Sequence, residues 1–186
     1  MSKKILAAIL TVTAVLSLTV NVYAAPHAVT QQTLAASDKV HKYYTGIPAG
    51  DVNLSEQAVQ TIAGTILADP SYATDVQKVA AAAGMVAAIS SQSMYGQDAS
   101  KYYRSPAGLT VAGVYTCAGS TRTLGRILDY MGYDWVHVNE NRNAHQWCVV
   151  NVDGQPGFAD GMGGFAGYGA YPASGTTLPD GRVIVY

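Results

Sequence analysis

The sequence predicts an α+β domain in which N-terminal helices pack on a C-terminal antiparallel sheet. Three observations carry that expectation. Apolar residues recur at helical spacing over 55–68, 74–89 and 117–131. β-Branched and aromatic residues dominate 134–138 and 145–152, and Asp153-Gly154 then marks a hairpin turn, with 157–160 as the returning strand. Helices first and strands afterwards is the α+β order.

The chain opens with Lys3 and Lys4, followed by an apolar stretch over 5–22 and small residues up to Ala24. This is the pattern of a secretory signal peptide spanning 1–24. An uncleaved membrane anchor is the competing reading, which Thr11, Thr13, Ser17, Thr19 and Asn21 weaken. Cleavage after Ala24 would leave 162 of the 186 residues as one domain, 25–186, and move the formal charge from −1 to −3 as Lys3 and Lys4 depart. Such a balance carries no electrostatic footprint for nucleic acid or an anionic membrane. The low charged content of 12% and the 13 tyrosines suit a secreted, extracellular or cell-surface protein.

Val29, Leu34, Val40 and the Tyr43-Tyr44 pair suggest a short helix ahead of a turn over 46–50. Ser55 is placed to cap the next helix, whose Val59, Ile62, Ala63, Ile66 and Leu67 form one apolar face before Asp69-Pro70 stops it. The following helix begins at Thr74 and runs to Ile89, with Gly84 weakening its middle by about 1 kcal/mol relative to Ala. Residues 91–113 read as a connecting region. The third helix runs from Cys117 to Met131 with Leu124, Ile127 and Leu128 facing inward, and Gly132 ends it. The glycines of 161–170 suggest a lid or a groove lining, or else a plain surface loop, and 182–186 a last strand.

Three residues along this scaffold carry nucleophilic chemistry. Cys117 falls where a turn becomes a helix, and the free N–H groups and dipole at a helix start favour the attacking thiolate. Gly119, in the first turn, is a poor helix former and fits a position whose backbone something must approach closely. His145 opens an apolar strand directly after a polar loop, where an imidazole can be held rigidly as base and proton donor. Asp160 ends the partner strand of the hairpin, on the side where His145 begins, and a carboxylate there would orient the ring. His137 is a competing base, but its setting in Trp135, Val136 and Val138 reads as a sheet position.

Two cysteines in an exported chain also allow a Cys117–Cys148 disulfide. Residues three apart on a strand point to opposite faces, so a Cys148 beside an inward-turned His145 would face away from Cys117. The backbone N–H of Cys117 is the default oxyanion donor; Tyr103, Tyr115 or another group of 91–108 would supply the second. No metal-ligand cluster, phosphate loop or dinucleotide fingerprint is present, so neither cofactor nor metal is expected.

A cysteine at a helix start, a His145-Gln146-Trp147 strand and an Asp160 ending the next strand, in that order, resemble the transglutaminase-like superfamily. The resemblance spans 76–164 and includes Lys78-Val79, Tyr95-Gly96, Cys117-Ala118-Gly119 and Phe158-Ala159-Asp160. It implies a papain-like core and a Cys117–His145–Asp160 triad that forms a thioester with a peptide or protein carbonyl. An amine resolves such a thioester in cross-linking, and water does so in hydrolysis. Two features depart from the pattern: Tyr115 stands where members of that superfamily often carry Gly, and the strand ending in the aspartate, where Trp is frequent, has Phe158 nearby instead. The expected partner is a peptide or protein substrate, cell-wall or surface protein included, with no nucleic acid and no membrane once the leader is removed. The second reading is a non-catalytic adhesion or binding module, motivated by the tyrosine- and glycine-rich tail.

Overall fold

Proline at 48 sets where the first helix begins. In a computed structural model that describes residues 42–96 and 101–185, helix α1 spans Ala49–Ala68. Pro48 precedes it with φ −59° and ψ 142°, and its carbonyl accepts the N–H groups of Asp51 and Val52 at 3.0 Å each. The helix therefore starts six residues ahead of Ser55, absorbing part of the turn expected over 46–50. Ser55 caps nothing. It is buried, and its hydroxyl bonds Tyr44 Oη at 2.9 Å and Thr110 Oγ1 at 2.8 Å. The leader reading and most of the helix suggested before residue 46 lie outside the described residues.

Helix α2, Asp75–Ser90, begins one residue after its cap, Thr74, whose hydroxyl accepts the Gln77 N–H in a reciprocal capping box. Residues 91–113, expected as a connection, carry short elements of their own. Strand β1 (Met94–Tyr95) pairs in parallel with β2 (Val114–Tyr115), and a 3₁₀ turn (Tyr102–Arg104) and a π turn (Gly108–Ala112) lie between them. Helix α3, Cys117–Met131, matches its expected limits and ends on Gly132 at φ +85°. Leu124, Ile127 and Leu128 are fully buried, and each contributes about 1.5–3 kcal/mol of transfer free energy. Because α3 is enclosed by α1, α2 and the sheet, its two arginines are buried as well. Arg126 is held by Glu56 at 2.6 Å and Asp129 at 2.6 Å, and Tyr130 and Tyr44 also bond Glu56. That cluster ties α1 to α3.

The sheet is an antiparallel meander in the order β3-β4-β5-β6. Strand β3 is Trp135–Val138, β4 Trp147–Val152, β5 Gln155–Asp160 and β6 Phe165–Tyr168. Asp153 at φ 52° and Gly154 at φ 77° form the expected two-residue hairpin, leaving Val152 opposite Gln155. Alternation along β4 buries Cys148, Val150 and Val152 among the helices. The chain is α+β, as its pattern predicts.

Three sheet expectations need correction. His145 and Gln146 stand before β4 rather than within it, because the loop holds them in side-chain bonds: Asn139 Nδ2 donates to the His145 carbonyl at 2.9 Å, and Gln146 Oε1 bonds His137 at 2.7 Å. The glycine-rich segment is no plain loop, since 165–168 pair with 157–160 as the edge strand β6. Residues 182–185 form no strand; only a single bridge, Thr177 with Val183, is made there.

Candidate active site

The end of α3 and the end of β5 converge on one cleft. Thr116 precedes α3 in extended backbone, with its N–H and hydroxyl both directed to the Tyr103 carbonyl, at 2.9 and 3.2 Å. Its side chain thus leaves the first-turn N–H groups of α3 uncapped, beside Cys117. Gly119 has the close neighbour its choice suggested: a Cβ there would lie 2.4 Å from the Tyr103 carbonyl oxygen. This contact seats the 3₁₀ turn against the helix and makes it one wall of a cleft of about 660 Å³ that holds Cys117 and His145.

The three predicted residues are brought together here. Cys117 is half-buried with a free thiol that lies 3.8 Å from the Ala144 carbonyl. His145 Nε2 bonds Asp160 Oδ2 at 2.8 Å, and the imidazole lines the same cleft as the Cys117 sulfur, near enough to interact with it. Burial works against a charged ring, but hydrogen bonds and charge from Asp160 and Cys117 prevail and raise the His145 pKa to about 9. At neutral pH the ring is therefore an imidazolium.

Asp160 is nearly inaccessible and fully engaged. Its Oδ1 accepts the backbone N–H groups of Met162 and Gly163 at 2.9 and 3.0 Å, so the glycine turn clamps the carboxylate while Met162 lines the cleft. Its Oδ2 accepts Tyr171 Oη at 2.7 Å in addition to His145. Burial would raise its pKa; the His145 bond and charge, the Gly163 N–H and Tyr171 outweigh that and lower it. Trp147 stacks on Tyr171 with centroids 4.3 Å apart and on His145 at 6.2 Å, so the imidazole is backed by two aromatic rings. Phe158 packs edge-on to Tyr171 at 5.5 Å.

Neither competing reading of the sulfur and the imidazole matches the geometry. Cys148 is fully buried, with its thiol 3.7 Å from the Thr121 carbonyl, and no disulfide joins it to Cys117. His137 bonds Gln146, and burial above all holds its pKa down to about 4, so it is a neutral ring inside the sheet.

Two site residues escaped the sequence reading. Tyr171 sits in an aperiodic tail where no pattern marks it. Tyr95 falls within the region named for a second oxyanion donor, ahead of Tyr103 and Tyr115. Parallel pairing sets Tyr95 opposite Tyr115, two residues before the cysteine, and the Tyr95 hydroxyl lies beside the thiol and the backbone N–H of Cys117 in the cleft. Burial and the adjacent Cys117 and Tyr115 raise its phenol pKa. The Tyr115 ring meets it edge-on at 5.3 Å, and Tyr103 also lines the cleft.

Among the described residues, no three His, Cys, Asp or Glu side chains are gathered in a way that would hold a metal ion, and no helix is long and apolar enough to cross a membrane. The chain gives no significant match to any family model, curated protein or solved structure.

Proposed function

We propose that this protein is a cysteine-dependent acyl-transfer enzyme that attacks peptide or protein amide carbonyls. More particularly, it would be a secreted enzyme of transglutaminase-like type on a papain-like core, hydrolysing or transamidating its substrate. One observation carries the reading: the His145 ring is hydrogen-bonded to Asp160 and lines the same cleft as the Cys117 sulfur. The order of the three along the chain, a helix start followed by two neighbouring strand ends, supports the narrower class.

In the first half-reaction the Cys117 sulfur bonds to the carbonyl carbon, and the carbonyl oxygen becomes an oxyanion. The backbone N–H of Cys117 is one donor to it. The Tyr95 hydroxyl, resting against that N–H and the thiol, becomes the second once an acyl oxygen displaces it from the amide. As the oxyanion collapses, the C–N bond breaks and the His145 imidazolium gives its proton to the departing amine. A thioester to Cys117 remains. In the second half-reaction, water or an amine adds to the thioester while His145 takes its proton; the C–S bond breaks, and the thiolate and imidazolium are restored. Asp160 keeps its charge throughout and fixes the ring's orientation.

The test is acyl-enzyme trapping with p-nitrophenyl acetate, stopped in acid and read by peptide mass spectrometry. Acetyl on Cys117, absent from Cys117→Ala and much reduced in His145→Ala, is the expected result. Acetyl only on lysine or tyrosine side chains, with binding to surface material unchanged in Cys117→Ala, would assign the protein to the binding modules instead.

A further inference from the structure

Cations crowd one wall of the thiol cleft. Arg104, Arg122 and Arg142 line the space that contains Cys117. A smaller cavity of about 170 Å³ opens beside it, shares Arg104, Arg122 and Asn141 with it, and adds Lys42 and Lys101. Among the described residues no carboxylate lines either space. Glu140 lies behind the wall, bonded to Lys42 at 2.7 Å and Arg122 at 3.3 Å. Among the described residues Glu140 thus bonds two of these five cations, in a chain that has only 11 Lys and Arg and a net charge of −1.

The arrangement is built rather than scattered. The Arg122 side chain is 8% exposed, and its guanidinium is fixed by the Arg104 carbonyl at 2.8 Å and by Glu140, while its Nε has no protein partner. Burial disfavours its charge and Arg104 repels it, so its pKa is lowered despite Glu140. Crowding like cations in a half-buried place is unfavourable in the empty protein. An anion entering the cleft relieves it.

We propose that this wall binds a carboxylate of the substrate, so that the acyl donor attacked by Cys117 is an acidic peptide segment. The inference rests on the acyl-transfer reading above and adds its substrate class. The carboxylate belongs either to an Asp or Glu side chain near the attacked carbonyl or to a chain end; in both cases guanidinium and ammonium groups recognise the same anion.

The test compares alkylation of Cys117 by iodoacetate and by iodoacetamide, which differ in a carboxylate one bond from the attacked carbon. The His145 imidazolium favours iodoacetate in every variant, so the informative quantity is the change in the rate ratio. In Lys101→Gln/Arg104→Gln/Arg142→Gln the ratio should fall about tenfold, and raising salt to about 0.5 M should lower it in the parent. Lys78→Gln, on the remote face of α2, should leave it unmoved. Two peptides then separate the sources: amidated acetyl-triglutamate offers side-chain carboxylates alone, and acetyl-trialanine with a free end offers a terminal one. The one that protects Cys117 from iodoacetamide better than amidated acetyl-trialanine does identifies the source. A ratio that stays within about twofold in the triple variant, or no added protection by either peptide, overturns the carboxylate site and leaves the acyl-transfer reading standing. Failure of both reagents to reach Cys117 overturns that reading, and this proposal with it.

Discussion

Tyr171 donates its hydroxyl proton to Asp160 Oδ2 at 2.7 Å, the same oxygen that His145 Nε2 reaches at 2.8 Å. A tail residue therefore shares the carboxylate with the imidazole while stacking its ring on Trp147 behind that imidazole. The C-terminal segment is part of the site.

Tyr171→Phe should keep the stack and lose one donor, reducing stability by about 1 kcal/mol. Tyr171→Ala should lose both and reduce it by about 3–5 kcal/mol, with a larger loss of turnover. Urea unfolding followed by tryptophan fluorescence measures the difference; equal effects of the two substitutions would deny the ring its role.

The His145 ring should titrate near pH 9, above its ordinary value near 6.5, because Asp160 and Cys117 stabilise the charged form. Stability from this pairing is fully present below about pH 6.5 and is lost as pH rises through about 9. The Asp160 contribution has the opposite sense: its pKa is lowered, so the stability it brings is present above the ordinary value near 3.8 and is lost as pH falls through its folded value. NMR of the histidine ring gives the midpoint directly. In Asp160→Asn the midpoint should drop, and a midpoint unchanged by that substitution would contradict the assignment.

Much of this arrangement is legible from residue order. Helix α3 is bracketed by its own residues, with Thr116 and Cys117 at one end and Gly132 at the other. The Asp153-Gly154 turn fixes the β4-β5 register, and with it the nearness of Asp160 to His145. What escapes is set by distant contacts. Strand β6 has the small Ala166 and Gly167 where alternation would show, and it becomes a strand because β5 offers an edge while α2 packs beside it. Ser55 reads as a cap in sequence, whereas Pro48 starts the helix earlier and Tyr44 and Thr110 claim the hydroxyl. Tyr95 reaches Cys117 only through parallel pairing across about twenty residues of chain.

Tyr95→Phe removes the second oxyanion donor without removing the ring that packs on Tyr115. Turnover should fall by about 10²- to 10³-fold, with thiol labelling retained. Full turnover in Tyr95→Phe would move the second donor elsewhere.

Glu56→Ala leaves Arg126 buried with only Asp129 as its acidic partner, and should destabilise the fold by about 3–5 kcal/mol. Replacing the cluster with apolar residues of similar volume should be far milder. Comparing the two in urea separates the loss of a partner from the net worth of the cluster.

The central claim is that Cys117, made reactive by His145, is the protein's nucleophile. The most direct measurement is the rate of iodoacetamide alkylation of the folded protein near pH 7, assigned to each cysteine by mass spectrometry. Rapid labelling of Cys117, slowed by orders of magnitude in His145→Ala while buried Cys148 stays unmodified, is the predicted result. Labelling confined to Cys148, or a Cys117 rate indifferent to His145, would contradict it.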